Sequence, residues 1–139
     1  MAAASLILPS LPVEIAYLAL SGGLLFVQLT LQAVLLTKQL GSEYNAGPRD
    51  EQRKVTGVAG RAERAFRNFL ETFPLFAALA LGLHLTGKAD WWTGLGAALY
   101  FWARVAYLPL YLAGIPYLRS AVWCVASLGI AIMLWQLAF

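Results

Sequence analysis

The sequence predicts an all-α integral membrane protein, a four-helix up-and-down bundle. Three observations predict it. Of 139 residues, 60% are hydrophobic and 12% charged, against about 45–50% and about 25% in soluble domains. So small a chain cannot bury that much apolar surface in its own core, so lipid must solvate the surplus. Four stretches are mostly apolar over the roughly 20 residues that a membrane-crossing helix needs. Only one connection between them is long. The same composition excludes disorder, and a single cysteine excludes a disulfide scaffold. A net charge of +3 is too small to argue for nucleic acid as a partner.

The first segment covers about residues 11–37 and is interrupted by Glu14, Gln28 and Gln32. The second, about 61–86, has a polar first half and a dense apolar second half. The third spans about 91–113 and the fourth about 116–138. Residues 38–60 hold five glycines and prolines (Gly41, Gly47, Pro48, Gly57, Gly60) among many charges, which reads as a solvated loop. The other two connections are tight, so sequential helices run antiparallel within one membrane domain. The N-terminal apolar run lacks a basic leader and is longer than a signal core, so no cleaved signal is expected.

Orientation follows from basic residues. Lys38, Arg49, Arg53, Lys54, Arg61, Arg64 and Arg67 surround the long loop, and Arg119 lies just past the third connection. The opposite side has only Lys88. Both termini are therefore expected on the exoplasmic side and the loop in the cytosol. The abundance of Ala, Leu and Gly suggests a bacterial source, which would make the membrane the bacterial inner one. Trp91 and Trp92 are expected at the far interface. Cys124 reads as a small buried hydrophobe, His84 as an interfacial or packed residue, and Trp123 and Trp135 as packing or lipid-facing residues. Glu14 reads as a first-turn charge favoured by the helix dipole, and Gln28 and Gln32 as interhelical hydrogen-bonding groups. No spacing of metal ligands is present.

Charges inside membrane segments are costly unless paired or hydrated, so they carry the functional signal. Arg61, Arg64, Asn68 and Glu71 follow i, i+3, i+7, i+10 spacing, which confines them to a sector of roughly 80°. Arg61 also suits a simple positive-inside anchor. Tyr100, Arg104, Tyr107 and Tyr111 share a face of the third helix, with Tyr100 read mainly as packing. The fourth opens with Arg119 and Ser120, and the first ends near Lys38. All can line one polar cleft opening to the cytosol. A plainer alternative pairs Arg104 with Glu71 in a buried ion pair that only fixes packing. Arg64, Arg67, Asn68, Arg119 and the tyrosines then stay unexplained. Guanidinium groups in excess suit carboxylates, and one glutamate among them suits an ammonium group. The cleft therefore fits a small zwitterionic ligand of net negative charge.

The run from Arg64 to Pro74 (RAFRNFLETFP) resembles the second-helix signature of the MAPEG proteins, the membrane-associated proteins in eicosanoid and glutathione metabolism. The runs Arg104 to Tyr111 (RVAYLPLY) and Pro116 to Ser120 (PYLRS) resemble the same family's third helix and fourth-helix start. The resemblance extends to helix order, chain length and the long first loop. It implies a homotrimer of four-helix bundles in which glutathione, as co-substrate, binds between subunits. Arg64, Asn68 and Glu71, with Arg67 nearby, would hold the tripeptide, Tyr107 and Tyr111 would seat it, and Arg119 beside Ser120 would stabilise its thiolate. Lys38 stands where eicosanoid-forming members have arginines, and Tyr107 where one has a histidine, which is similar to the bacterial-type branch. The implied function is a transferase or peroxidase acting on lipophilic electrophiles or hydroperoxides. A non-catalytic lipid-binding protein of the same fold, and a small proton-coupled multidrug transporter, are the alternatives.

Overall fold

The computed structural model describes residues 8–139, which form five helices. They are α1 (Val13–Leu40), the short α2 (Ser42–Ala46), α3 (Gly57–Leu85), α4 (Trp91–Ala113) and α5 (Pro116–Ala138). The four long ones are each long and apolar enough to cross a membrane. The expectation about a cleaved signal falls partly on residues 1–7, which lie outside the described residues.

The long connection is shorter than the sequence implied. Helix α1 continues to Leu40 and α3 begins at Gly57, so the glycines at 57 and 60 do not mark loop. Gly60 is required for a different reason. A Cβ there would stand 2.7 Å from the Val55 carbonyl oxygen, so the incoming chain can cross the first turn of α3 only over a residue without a side chain. Between the two helices, α2 and the Tyr44 hydroxyl give the connection a fold. That hydroxyl donates to the Glu51 carbonyl at 3.0 Å and accepts from the Arg53 amide at 3.1 Å.

Helix α4 starts with a capping box between Asp90 and Thr93, which satisfies amides that no helical carbonyl can reach. It ends at Gly114 in the left-handed conformation, φ 80°, as glycine permits. Pro116 then opens α5, where its missing N–H costs nothing. Helices α4 and α5 form the most extensive contact, because glycines let their backbones meet. A Cβ at Gly96 would lie 2.8 Å from the Gly129 carbonyl oxygen. Small residues serve this purpose where lipid removes the hydrophobic drive between helices. Helix α1 packs on α3 and α4 and does not touch α5. Aromatic and aliphatic side chains fill the interior, among them Tyr17, Phe69, Phe76, Leu83 and Met133. Trp91, Trp92, Trp123 and Trp135 are exposed on the outside.

Three minor expectations are corrected. Cys124 is exposed on α5 rather than buried. His84, exposed near the end of α3, is compatible with the interfacial reading. Glu14 is buried and accepts a hydrogen bond from the Thr93 hydroxyl, so it ties α1 to the start of α4 instead of serving only the dipole. Gln28 is buried with its Oε1 unpartnered among the described residues, and Gln32 lines a cavity under the loop. Neither forms a side-chain hydrogen bond to another helix among the described residues, and Gln32 opens instead into a cavity whose wall carries Arg49, Arg53, Glu63 and Arg67.

Candidate functional site

Arg104 is the centre of the polar interior. It projects from α4 toward α3 and is 1% exposed. Its Nη1 donates to Asn68 Oδ1 at 2.7 Å and its Nη2 to Thr72 Oγ1 at 2.6 Å, while Nε has no partner among the described residues. The rings of Phe69, Tyr100 and Tyr107 surround the guanidinium, with centroids 5.5, 5.5 and 5.4 Å away. Ring faces attract a desolvated cation through their quadrupoles. Helix periodicity explains the arrangement. Asn68 and Thr72 are one turn apart on α3, and Tyr100, Arg104 and Tyr107 occupy successive turns of α4.

The hydroxyl of Thr72 has one proton and two lone pairs, and its contacts use all three. It donates to the Phe69 carbonyl at 3.3 Å and accepts from Arg104, so the Tyr100 hydroxyl at 3.1 Å must be a donor to it. Tyr100 also stacks on Phe76 at 4.0 Å. It therefore both packs and bonds, where the sequence suggested mainly packing.

The direct ion pair of Arg104 with Glu71 does not form. Asn68 stands between them: its Oδ1 faces the cation, and its Nδ2 donates to Glu71 Oε2 at 3.3 Å. A cation requires the amide oxygen and a carboxylate requires the amide nitrogen, so the charges on either side fix the amide's orientation. Glu71 itself is exposed. Its Oε1 has no side-chain donor among the described residues.

Beside this network, α3, α4 and α5 enclose a cavity of about 400 Å³ lined by Asn68, Tyr107, Tyr111, Arg119, Ser120 and Cys124 among others. Tyr107 and Tyr111 lie one turn apart with ring centroids at 5.3 Å. The Arg119 guanidinium sits 4.4 Å from the Tyr111 ring centre, and no carboxylate among the described residues pairs with it. Ser120 donates back to the Pro116 carbonyl at 3.2 Å. The cavity thus combines a cation on an aromatic shelf, two phenols and one amide that is already coupled to a carboxylate.

The remaining site candidates are dispersed. Arg61 donates from Nε to the Leu112 carbonyl at 2.8 Å, closing the last turn of α4, where carbonyls lack helical partners. Arg64 is exposed, near Gly60. Arg67 turns away, pairing with Glu63 at 3.1 Å and lining the cavity under the loop. Lys38 is exposed on a face of α1 with Thr30 and Val34. Because α1 does not touch α5, Lys38 and Arg119 do not meet within the chain. Sequence reasoning missed Thr72 as a member of the buried network. Its position one turn after Asn68 was the available signal.

A helical bundle with four helices capable of crossing a membrane defines a class of polytopic membrane protein, here with an aromatic cleft that holds one arginine, Arg119, unpaired among the described residues. The profile described as the MAPEG family matches residues 15–139, nearly the whole chain, and the chain belongs to that family. No curated protein matches it. The family is associated with glutathione, and membership supports, in general terms, a membrane function of the glutathione-related transferase or peroxidase type.

Proposed function

We propose that the protein binds glutathione at the α3–α4–α5 cleft and activates it as a thiolate for attack on lipophilic electrophiles or hydroperoxides. The observation that carries this reading is Arg119, held over Tyr111 without a carboxylate partner among the described residues, in the same cavity as Asn68, Tyr107 and Tyr111. A thiol of pKa about 8.5 reacts as its thiolate, and a nearby cation favours that form. Arginine supplies the charge without titrating itself. Glu71 would receive the ligand's ammonium group. Arg64, with Ser120 beside Arg119, would meet its carboxylates and polar backbone, whereas Arg67, paired with Glu63 at the other cavity, would take no part.

The exposed positions of Glu71, Arg64 and Lys38 suit a site completed by neighbouring copies. In a homotrimer, Lys38 of one protomer would face the cleft of the next, which one protomer cannot achieve. The basic long connection would lie in the cytosol and both termini outside. Lipid-dissolved substrates would then enter between helices, next to the bound thiolate.

With an electrophile, the sulfur lone pair forms the new S–C bond and the leaving group departs with its electron pair. With a hydroperoxide, the thiolate attacks the terminal oxygen and cleaves the O–O bond, giving a sulfenic acid and an alkoxide that takes a proton. A second glutathione converts the sulfenic acid to the disulfide and releases water. Fixing the sulfur beside Arg119 contributes by proximity as well as by charge.

The test is the ultraviolet absorbance of the thiolate on detergent-purified protein titrated with glutathione. Thiolate at neutral pH that disappears in Arg119→Ala, with weaker binding in Glu71→Gln, supports the reading. Glutathione that neither binds nor ionises refutes it, and lipid binding without thiolate would favour the non-catalytic alternative.

A further inference from the structure

A second polar cavity, of about 480 Å³, lies on the other side of α3. Its floor is Gln32 and Leu36 of α1, its side wall includes Arg67 of α3, and its roof is the connection, with Tyr44, Arg49 and Arg53. Nothing in the reading of the glutathione cleft uses it. We propose that this cavity is a separate site for a phosphate-bearing anion at the membrane surface, with an anionic phospholipid headgroup as the source that its surroundings favour.

Charge is the first argument. Arg49, Arg53 and Arg67 line the cavity against one carboxylate, Glu63. Their existing contacts leave donors unspent. Arg49 uses Nε and Nη2 on Asn45, Arg53 pairs through Nη2 with Glu51 at 3.6 Å, and Arg67 pairs through Nη2 with Glu63. A guanidinium has five N–H groups, so each retains several for phosphate oxygens. The amides of Gln32 and Gln52, also at the wall, add neutral donors.

Construction is the second. Arg49 adopts φ 58°, a conformation that is costly for a residue with a side chain. It is held there by its bonds to Asn45, which keep the guanidinium at the cavity. The Arg53 guanidinium rests over the Tyr44 ring at 5.1 Å, and the Tyr44 hydroxyl braces the chain on either side of it. The roof therefore holds two exposed arginines over the cavity, each with at least one contact to the connection itself.

Location is the third argument, and it selects the source. Gln32 lies about 12 Å inside the end of α1, so the cavity reaches from the connection into the span. One turn deeper on the same helix faces stand Leu29 above Gln32 and Leu70 above Arg67. They are 44% and 42% exposed. A headgroup held by the arginines would have its acyl chains against these leucines. Basic pockets at helix ends are suited to anionic headgroups, and a soluble phosphate would gain nothing from the apolar flank.

The test uses native mass spectrometry of the full-length protein released from detergent, mixed with dioleoylphosphatidylglycerol or dioleoylphosphatidylcholine. A parallel thermal-shift titration uses inorganic phosphate alone. The wild type should retain phosphatidylglycerol in preference to phosphatidylcholine, and Arg49→Gln/Arg53→Gln should weaken that retention at least about tenfold. Lys54→Gln removes a charge from the same connection outside the cavity and should leave retention unchanged. An equal loss in Lys54→Gln, or no lipid preference together with no phosphate stabilisation, overturns the proposal. Phosphate stabilisation lost in the double variant, without lipid retention, assigns the site to a soluble phosphate. Arg67→Gln tests the wall independently of the roof should the double variant lose its helical circular dichroism. Because the readout is adduct retention and not thiolate, failure here leaves the glutathione reading untouched, and the reverse holds.

Discussion

Arg104 and Arg119 are the same residue type on adjacent helices, and their surroundings differ in almost every respect. Arg104 is enclosed by three rings, bonded through two nitrogens and shut from solvent. Arg119 rests on one ring, has no carboxylate partner among the described residues and faces a cavity. The comparison teaches how a bundle assigns roles to identical charges. A cation with its donors committed inside the protein orders the residues around it. A cation with uncommitted donors beside open volume is available to a ligand. Asn68 belongs to both regions, since it bonds Arg104 and Glu71 and also lines the cavity of Arg119.

The largest effect should come from breaking the closed region. Arg104→Ala removes packing from among three rings and orphans the acceptors of Asn68 and Thr72, so a loss of about 3 kcal/mol is expected. Thermal unfolding in detergent measures it. Arg104→Met should recover much of that packing but not the orientation of Asn68, which separates volume from hydrogen bonding. In the open region, Arg119→Ala should leave the unfolding temperature within the range of a lost partly exposed cation–π contact, about 0.5–1 kcal/mol. Its initial rate with glutathione and a lipophilic electrophile should instead fall by about 10²–10³, as for loss of a preorganised charge-stabilising group. A rate loss matched by an equal stability loss would erase the distinction between the two arginines.

Asn68→Leu tests the shared residue. It replaces a bond to a charged group by an isostere, with an expected stability cost of about 1.5–3 kcal/mol. It should also weaken glutathione binding by disconnecting Glu71, read by isothermal titration. The smallest effect is expected for Tyr111→Phe, which keeps the ring under Arg119. Its thiolate absorbance should remain close to wild type, whereas Tyr111→Ala should lose the shelf and part of the signal.

The helical architecture was legible because its signals are local. Span length, a hydropathic run and the glycine–proline pair at 114 and 116 act within a few residues. The ends of the long connection were misread because glycine carries two meanings. In the sequence Gly60 resembles a loop former, yet it is there so that the Val55 carbonyl can approach a helix. Site faces were partly legible. Periodicity correctly grouped Tyr100 with Arg104 on α4, and Asn68 with Glu71 on α3. It could not say that Arg67, a single residue before Asn68, belongs to a different cavity, because that depends on where the connection lies.

Taken alone, the sequence determined that four helices are apolar enough to cross a membrane, in what order they follow, and which polar residues share a helical face. Each of these depends on chain-local hydropathy and on a rotation of about 100° per residue. Only the tertiary structure decided that Arg104 bonds an amide instead of a carboxylate, that Arg61 closes α4, and that Lys38 and Arg119 lie on helices that do not touch. The physical reason is that a helix's own period places a side chain relative to its neighbours in sequence. Its burial and its partners are set by how that helix is rotated against the others, and this depends on packing such as the contact of Gly96 with Gly129.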